Sequence, residues 1–217
     1  MDDILLIHGA WHGGWCWDAT AAALRARGWR VACPDLPNAA DTTLEQAVAA
    51  LPPARVILGH SMGGILAEAL ATTHLPRALI HLCSYLPLPG DSLAALDRLI
   101  PAPPRAWPRD PEGRLILPPD AARALMLHGL DDAQAVQAIA RLRPQPVGPL
   151  RDRWPGPRAQ VPRHYVLCAQ DRAIAPALQR AMLARAPVQH VHETVWDHSP
   201  FLTDPQGLAD LVDRIAR

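Results

Sequence analysis

The chain lacks a surplus of charge of either sign. Its 21 Lys and Arg balance 21 Asp and Glu over 217 residues, so the basic footprint of a nucleic-acid-binding protein is missing. Long hydrophobic runs are also missing. Stretches such as Ile4 to Ile7 and Leu79 to Leu82 fall far short of the roughly 18 apolar residues that mark a membrane span. The opening Met1-Asp2-Asp3 has no positive start of the kind a signal peptide carries. These absences speak against a membrane protein and against ordinary export, and a cytoplasmic protein is expected. Cysteine is scarce and scattered: Cys16, Cys33, Cys83 and Cys168 form no C-x-x-C pair. A chain of this length has no need of staples, so they are expected to be reduced, mostly buried thiols.

What is present is the composition of a soluble globular chain, 49% hydrophobic and 19% charged, of a length that suits one domain around a single core. Short apolar runs recur, each ended by a turn signal: Ile4 to Ile7 before His8-Gly9, Val31 to Cys33 before Pro34-Asp35, and Val56 to Leu58 before Gly59. Leu79 to Cys83, Tyr165 to Cys168 and Val191 to Val195 continue the series. Such runs read as strands buried on both faces of a parallel sheet. Helical patterns lie between them: Trp17 to Arg27 closed by Gly28, Leu44 to Leu51 opened by Thr42 or Thr43, Met62 to Thr73, Pro176 to Arg185, and Leu208 to Ile215. Strands alternating with helices imply a mostly parallel sheet flanked by helices, an α/β fold.

The 24 prolines, about twice the usual share, cluster between Pro87 and Pro162. Pro-Ala-Pro-Pro at 101–104, Pro118-Pro119, Pro144-Gln-Pro and Trp154-Pro-Gly-Pro punctuate short helical pieces at Asp120 to His128 and Asp132 to Leu142. Residues 87–160 are therefore expected to form a small Pro-rich cap or lid inserted over the sheet's edge.

Val56-Ile-Leu-Gly59-His60-Ser61-Met62-Gly63-Gly64 is a buried strand, then G-x-S-x-G, then a helix. A strand-to-helix turn that sharp needs small residues on either side of its central one, and it leaves the Ser61 hydroxyl exposed at a helix N-terminus. The alternative, a glycine turn whose serine merely caps the helix, does not need what comes next. A nucleophilic serine requires a histidine base oriented by a carboxylate, in the chain order Ser, Asp, His. Asp171 follows the strand at 165–168, and His198 follows the last strand. Strand ends at one sheet edge converge, as ligand sites of open α/β folds do.

Of the ten histidines, His74 and His128 sit near helix ends, and His81, His164, His190 and His192 lie in or beside strands. His60 is inside the turn and is expected to pack beside it. Asp197 is too close to its neighbour's ring to orient it, and Asp35 and Asp91 also follow strands; Asp171 leads, with Asp91 in reserve. The developing oxyanion needs donors, for which the Met62 and Ala10 backbone N–H groups are the candidates. A metal reading would pair His8 with His12, but no H-E-x-x-H or Cys/His ligand set accompanies them. Neither a metal nor a cofactor is expected.

His8-Gly-Ala-Trp-His-Gly-Gly-Trp-Cys-Trp17, Pro34-Asp-Leu36, Gly59-His-Ser-Met-Gly-Gly64, Cys168-Ala-Gln-Asp171 and Asp197-His198 together resemble the α/β-hydrolase superfamily. More narrowly, they resemble the branch of plant methyl esterases, hydroxynitrile lyases and related bacterial esterases. The resemblance implies a Ser61, Asp171, His198 triad with Ala10 and Met62 as oxyanion hole. The lyases of that branch place a lysine directly after the catalytic histidine, where this chain has Ser199, and favour a hydroxylated residue where Ala10 stands. Hydrolysis is thus expected over carbon–carbon cleavage. The expectation is a serine carboxylesterase for small esters, as monomer or homodimer. Trp11, His12 and Trp107 are candidates to contact substrate, and Trp154 is as readily a core residue. The rival readings are hydroxynitrile-lyase-like or cofactor-free oxygenase chemistry on the same fold, or a non-catalytic ligand receptor.

Overall fold

The computed structural model describes residues 2–101 and 106–217; positions 102–104 of the Pro-Ala-Pro-Pro run lie outside the described residues. Six strands form one sheet: β1 (Asp2–Ile7), β2 (Val31–Ala32), β3 (Ala54–His60), β4 (Ala78–Leu82), β5 (Arg163–Cys168) and β6 (His190–Thr194). All neighbours run parallel, in the order β2-β1-β3-β4-β5-β6. The chain leaves β1 toward β2 and returns to β3 on the other side, so the order reverses at β1. Loops leaving neighbouring strands diverge there and open a crevice at the carboxyl edge.

The helices are α1 (Asp18–Ala26), α2 (Leu44–Ala49), α3 (Gly63–His74), α4 (Leu93–Leu96), α5 (Pro119–Leu125), α6 (Asp132–Ala140), α7 (Gly148–Arg151), α8 (Pro176–Arg185), α9 (Pro200–Thr203) and α10 (Pro205–Ala216). Side chains alternate across each strand and divide the core between two faces. Ile4, Leu6, Val56, Leu58, Ile80 and Leu82 meet Trp17, Leu24, Leu208 and Val212 of the α1/α10 layer. Leu5, Ile7, Ile57 and Leu79 meet Leu44, Ala47, Ile65 and Leu66 of the α2/α3 layer. Burial on both faces explains why β1, β3, β4 and β5 read as apolar runs, whereas β6, at the sheet's edge, is exposed at His190, Val191 and Glu193, so the run expected at Val191 to Val195 is not buried.

Several boundaries shift for local reasons. The helix expected from Trp17 is preceded by a 3-10 turn at Gly14–Trp17, and α1 begins at Asp18. Thr43, not Thr42, caps α2: its hydroxyl accepts from the Gln46 N–H at 3.1 Å, and Gln46 Oε1 accepts from the Thr43 N–H at 2.9 Å, a reciprocal cap. β3 runs on through Gly59 to His60.

Between β4 and β5 the described residues form helices α4 to α7 and two isolated antiparallel bridges, Arg109 with Leu115 and Leu115 with Gln145. This segment has its own apolar cluster, Leu117, Ala122, Met126, Leu127, Leu130, Ala135 and Ala138, against which Trp11, Trp15, Trp107 and Leu202 pack. Among the described residues no helix is long and apolar enough to cross a membrane.

Candidate active site

Ser61 follows β3 directly and has φ +52°. Side chains other than glycine rarely adopt this left-handed conformation, which costs roughly 1–3 kcal/mol. The turn around it is held by the Ser61 N–H donating to Leu82 O at 3.3 Å, while its carbonyl accepts from the N–H groups of Gly64 and Tyr85, both at 3.1 Å. The crossing is tight: a Cβ at Gly59 would lie 2.4 Å from Gly63 O, and one at Gly63 would lie 2.7 Å from Ile7 O. Only glycine fits at both positions, and Ser61 is left at the N-terminus of α3.

His198 and Asp171 come from the loops after β6 and β5. His198 Nδ1 lies 2.8 Å from Asp171 Oδ2, with both residues buried. The other carboxylate oxygen, Oδ1, accepts from the Ala173 and Ile174 N–H groups at 2.7 and 2.9 Å. Facing an acceptor, Nδ1 carries the imidazole proton, and Nε2 is the acceptor nitrogen. Among the described residues neither Ser61 Oγ nor His198 Nε2 is hydrogen-bonded, so both are open to a reacting group.

The competing acids are occupied elsewhere. Asp91 pairs with Arg185 at 2.6 and 2.8 Å and accepts from the Leu88 N–H. Asp35 accepts from the Gly14 N–H. Asp197 Oδ1 accepts from the Ser199 N–H and the Thr203 hydroxyl.

His60 is a supporting residue. Its ring lies against that of His198, with centroids 4.6 Å apart, and its Nε2 donates to the His198 carbonyl at 2.9 Å. Burial, reinforced by the neighbouring His198, holds its pKa well below the usual histidine value, so it stays neutral. His60, Cys83 and His198 bring metal-ligating atoms within 4.8 Å of one another. His60 Nε2 and the Cys83 thiol both face the His198 carbonyl, and burial pushes that thiol well above its ordinary pKa, so the trio lacks the thiolate that a metal would need.

The loop after β1 lies against the serine: a Cβ on Gly9 would be 2.8 Å from Ser61 Cβ. Among the described residues the N–H groups of Ala10 and Met62 have no hydrogen-bond partner, whereas the Trp11 N–H donates to Gln145 Oε1 and the Ser61 N–H to Leu82 O. The Gly9 carbonyl, which shares its peptide unit with the Ala10 N–H, accepts from His8 Nδ1 at 2.8 Å, and His8 Nε2 accepts from the Leu36 N–H at 3.1 Å. That pair of contacts sets the His8 tautomer, and burial lowers its pKa to about 4.

His12 is 1% exposed. Its Nδ1 donates to the Ala10 carbonyl at 3.0 Å, and burial lowers its pKa to about 3. Trp11 Nε1 donates to Leu115 O at 3.0 Å, and its ring meets Trp107 edge-on at 5.8 Å. Trp154 is a core residue, packed with Leu93, Ala159 and Val161. A small cavity of about 10 Å³, lined by His8, His12, Met62, Arg143 and Gln145 among others, has room for about one water. The larger cleft, about 240 Å³ and lined by Trp15, Leu130, Arg141, Phe201 and Leu202 among others, does not include Ser61.

Two polar groupings had almost no signal in the sequence. Gln179, on α8, is fully buried: its Nε2 reaches Asp171 Oδ2 at 3.3 Å and Ile174 O at 2.7 Å, and its Oε1 accepts from the Cys168 N–H at 3.2 Å. Glu68 of α3, also fully buried, takes two hydrogen bonds from Arg163, both 2.8 Å, and one from His81 Nε2 at 3.2 Å. Burial alone would raise the Glu68 pKa, but the Arg163 and His81 hydrogen bonds outweigh it and hold the carboxyl at about 2. The only hint of either was a polar residue on an otherwise apolar helix face.

The Alpha/beta hydrolase family matches the chain over residues 4–211. It is 24% identical to Methylesterase 17 of Arabidopsis thaliana over 98% of this chain and 90% of that protein. It is 28% identical to a pyrethroid hydrolase of Sphingobium wenxiniae, over 98% of this chain and 86% of the other. Among solved structures, a pyrethroid hydrolase from Sphingobium faniae superposes with a TM-score of 0.79 at 25% identity, covering 99% of this chain and 97% of that one.

Proposed function

The chain belongs to the α/β hydrolase family, and we propose from this that it is a carboxylic ester hydrolase acting on small esters through an acyl-serine on Ser61. The observation that carries the reading is the buried hydrogen bond of His198 Nδ1 to Asp171, set beside a serine held in the left-handed conformation at a helix N-terminus. The relatives named methylesterase and pyrethroid hydrolase point to the same class of reaction.

In the proposed reaction, His198 Nε2 takes the Ser61 hydroxyl proton as Oγ attacks the ester carbonyl. The negative charge gathers on the carbonyl oxygen, where the N–H groups of Ala10 and Met62 receive it. Collapse breaks the bond to the alcohol, which leaves with the proton from His198. Water then attacks the acyl-serine, with His198 again as base, and the carboxylic acid is released. Asp171 keeps its charge throughout and stabilises the imidazolium without taking its proton. The segment between β4 and β5 serves in this reading as a cap over the site, with Trp11 of the loop after β1 packed against its Trp107. Four unpaired cysteines favour a reducing compartment such as the cytoplasm.

Lyase chemistry is disfavoured at the position after His198, because Ser199 is buried and uncharged. Hydrolysis of p-nitrophenyl acetate and butyrate by the purified protein, beside Ser61→Ala and His198→Ala, tests the reading. Turnover by the wild type and a loss on the order of 10⁴-fold or more in each variant is expected; turnover that survives Ser61→Ala overturns it.

A further inference from the structure

The segment between β4 and β5 is fastened to the oxyanion loop. The Trp11 N–H donates to Gln145 Oε1 at 3.2 Å, the Arg143 N–H donates to Trp11 O at 2.8 Å, and the Arg143 guanidinium donates to His12 O at 3.2 and 3.3 Å. Gln145 is itself fixed. It is buried, exchanges two backbone hydrogen bonds with Leu115, both 2.8 Å, and donates from Nε2 to Pro146 O at 2.9 Å. Its Oε1 is thereby presented to the loop.

The Trp11 N–H and the Ala10 carbonyl are the two ends of one rigid peptide unit. Gln145 holds the first end and His12 Nδ1 the second. The preceding unit, which carries the Ala10 N–H, is held at its carbonyl by His8. With both units fixed, the backbone torsions of Ala10 between them have no freedom left. Trp11 needs such restraint, since its φ of +63° is one that a bulky residue avoids. Relaxation of that angle would rotate the Ala10–Trp11 peptide and displace the Ala10 amide.

We propose that Gln145 is a positioning residue for the oxyanion hole, supplied by the segment between β4 and β5, which aims the Ala10 N–H by holding the next peptide unit. The proposal rests on the acyl-serine reading above. It also makes this part of the cap a fixed wall and not a lid that opens.

The test compares the wild type with Gln145→Met, which removes the acceptor, Gln145→Asn, which withdraws it by one methylene, and Gln145→Glu, which retains an oxygen there. With p-nitrophenyl acetate, kcat of Gln145→Met is expected to fall 10- to 100-fold with KM within about twofold, in keeping with impairment of one oxyanion donor. Affinity for a short alkyl trifluoromethyl ketone, which Ser61 attacks to form an oxyanion-bearing hemiketal, falls by the same factor. Gln145→Asn shows an intermediate loss, and Gln145→Glu recovers most of kcat. Should Gln145→Met fail to fold, the Asn and Glu variants decide alone. A folded acceptor-less variant with kcat within twofold of wild type, or a kcat loss without the matching loss of ketone affinity, overturns the proposal. A wild type that does not hydrolyse esters instead overturns the acyl-serine reading, and the positioning role with it.

Discussion

His198 Nδ1 and Asp171 Oδ2 lie 2.8 Å apart in a buried setting, and the amides of Ala173 and Ile174 lock the carboxylate in place through its other oxygen. The carboxylate therefore presents a single oxygen to the imidazole and selects one tautomer.

Replacing Asp171 with Asn removes the acceptor that His198 Nδ1–H needs. The imidazole is then free to take the tautomer with its proton on Nε2, facing Ser61. A fall in kcat of about 10⁴-fold is expected, with the protein still folded by circular dichroism. A loss under tenfold would mean that another acid orients the base.

Gln179→Leu removes a donor to Asp171 and leaves the Cys168 N–H without its acceptor. Stability is expected to drop by roughly 1–3 kcal/mol in urea titration. The carboxylate that holds the His198 ring, with one donor fewer, is fixed less firmly, so kcat should fall severalfold. An unchanged kcat with lowered stability would make Gln179 a purely structural residue.

Glu68→Leu strips the buried Arg163 of its carboxylate. An uncompensated buried charge of this kind costs about 3–5 kcal/mol, which urea denaturation of the variant should register. Exchanging both residues together, Glu68→Leu with Arg163→Met, should recover most of the loss.

Stability should fall on acidification in two stages. His8 and His12 are held at about 4 and about 3 by burial, so below the unfolded value near 6.5 the unfolded chain binds more protons than the native one. Their neutral burial is accommodated fully above that pH, and stability declines as pH drops from there toward 4 and 3. Glu68 adds to the decline below about 4.5, since its folded carboxyl titrates at about 2. Thermal melts between pH 8 and pH 3 should show a falling Tm below pH 6.5, steepening below pH 4.5; a Tm that is flat to pH 4 would contradict the assignment of His8 and His12 as neutral.

Much of this molecule was legible in the chain because it is locally encoded. Apolar runs ended by glycine or Pro-Asp became the strands of one parallel sheet, α8 spans Pro176–Arg185 as its pattern predicts, and the glycines around Ser61 are demanded by contacts a few residues away. Less was legible at the edges. Thr42 and Thr43 could be separated only by the reciprocal bond with Gln46. In the chain His8 is a strand exit like any other, and only the fold places Gly9 O and the Leu36 N–H on its two nitrogens.

Sequence alone determined the fold class, the sharp turn at Ser61 and the order in which serine, acid and histidine follow their strands, because periodicity and turn chemistry act over neighbouring residues. Tertiary structure decided which carboxylate reaches His198, since Asp91 and Asp171 both follow strands and only the packing of α8 turns Asp91 toward Arg185. It also decided that Gln145, 134 positions from Trp11, meets the loop after β1. Hydrogen bonds of that span have no local signature, and only the folded path of the chain brings their ends together.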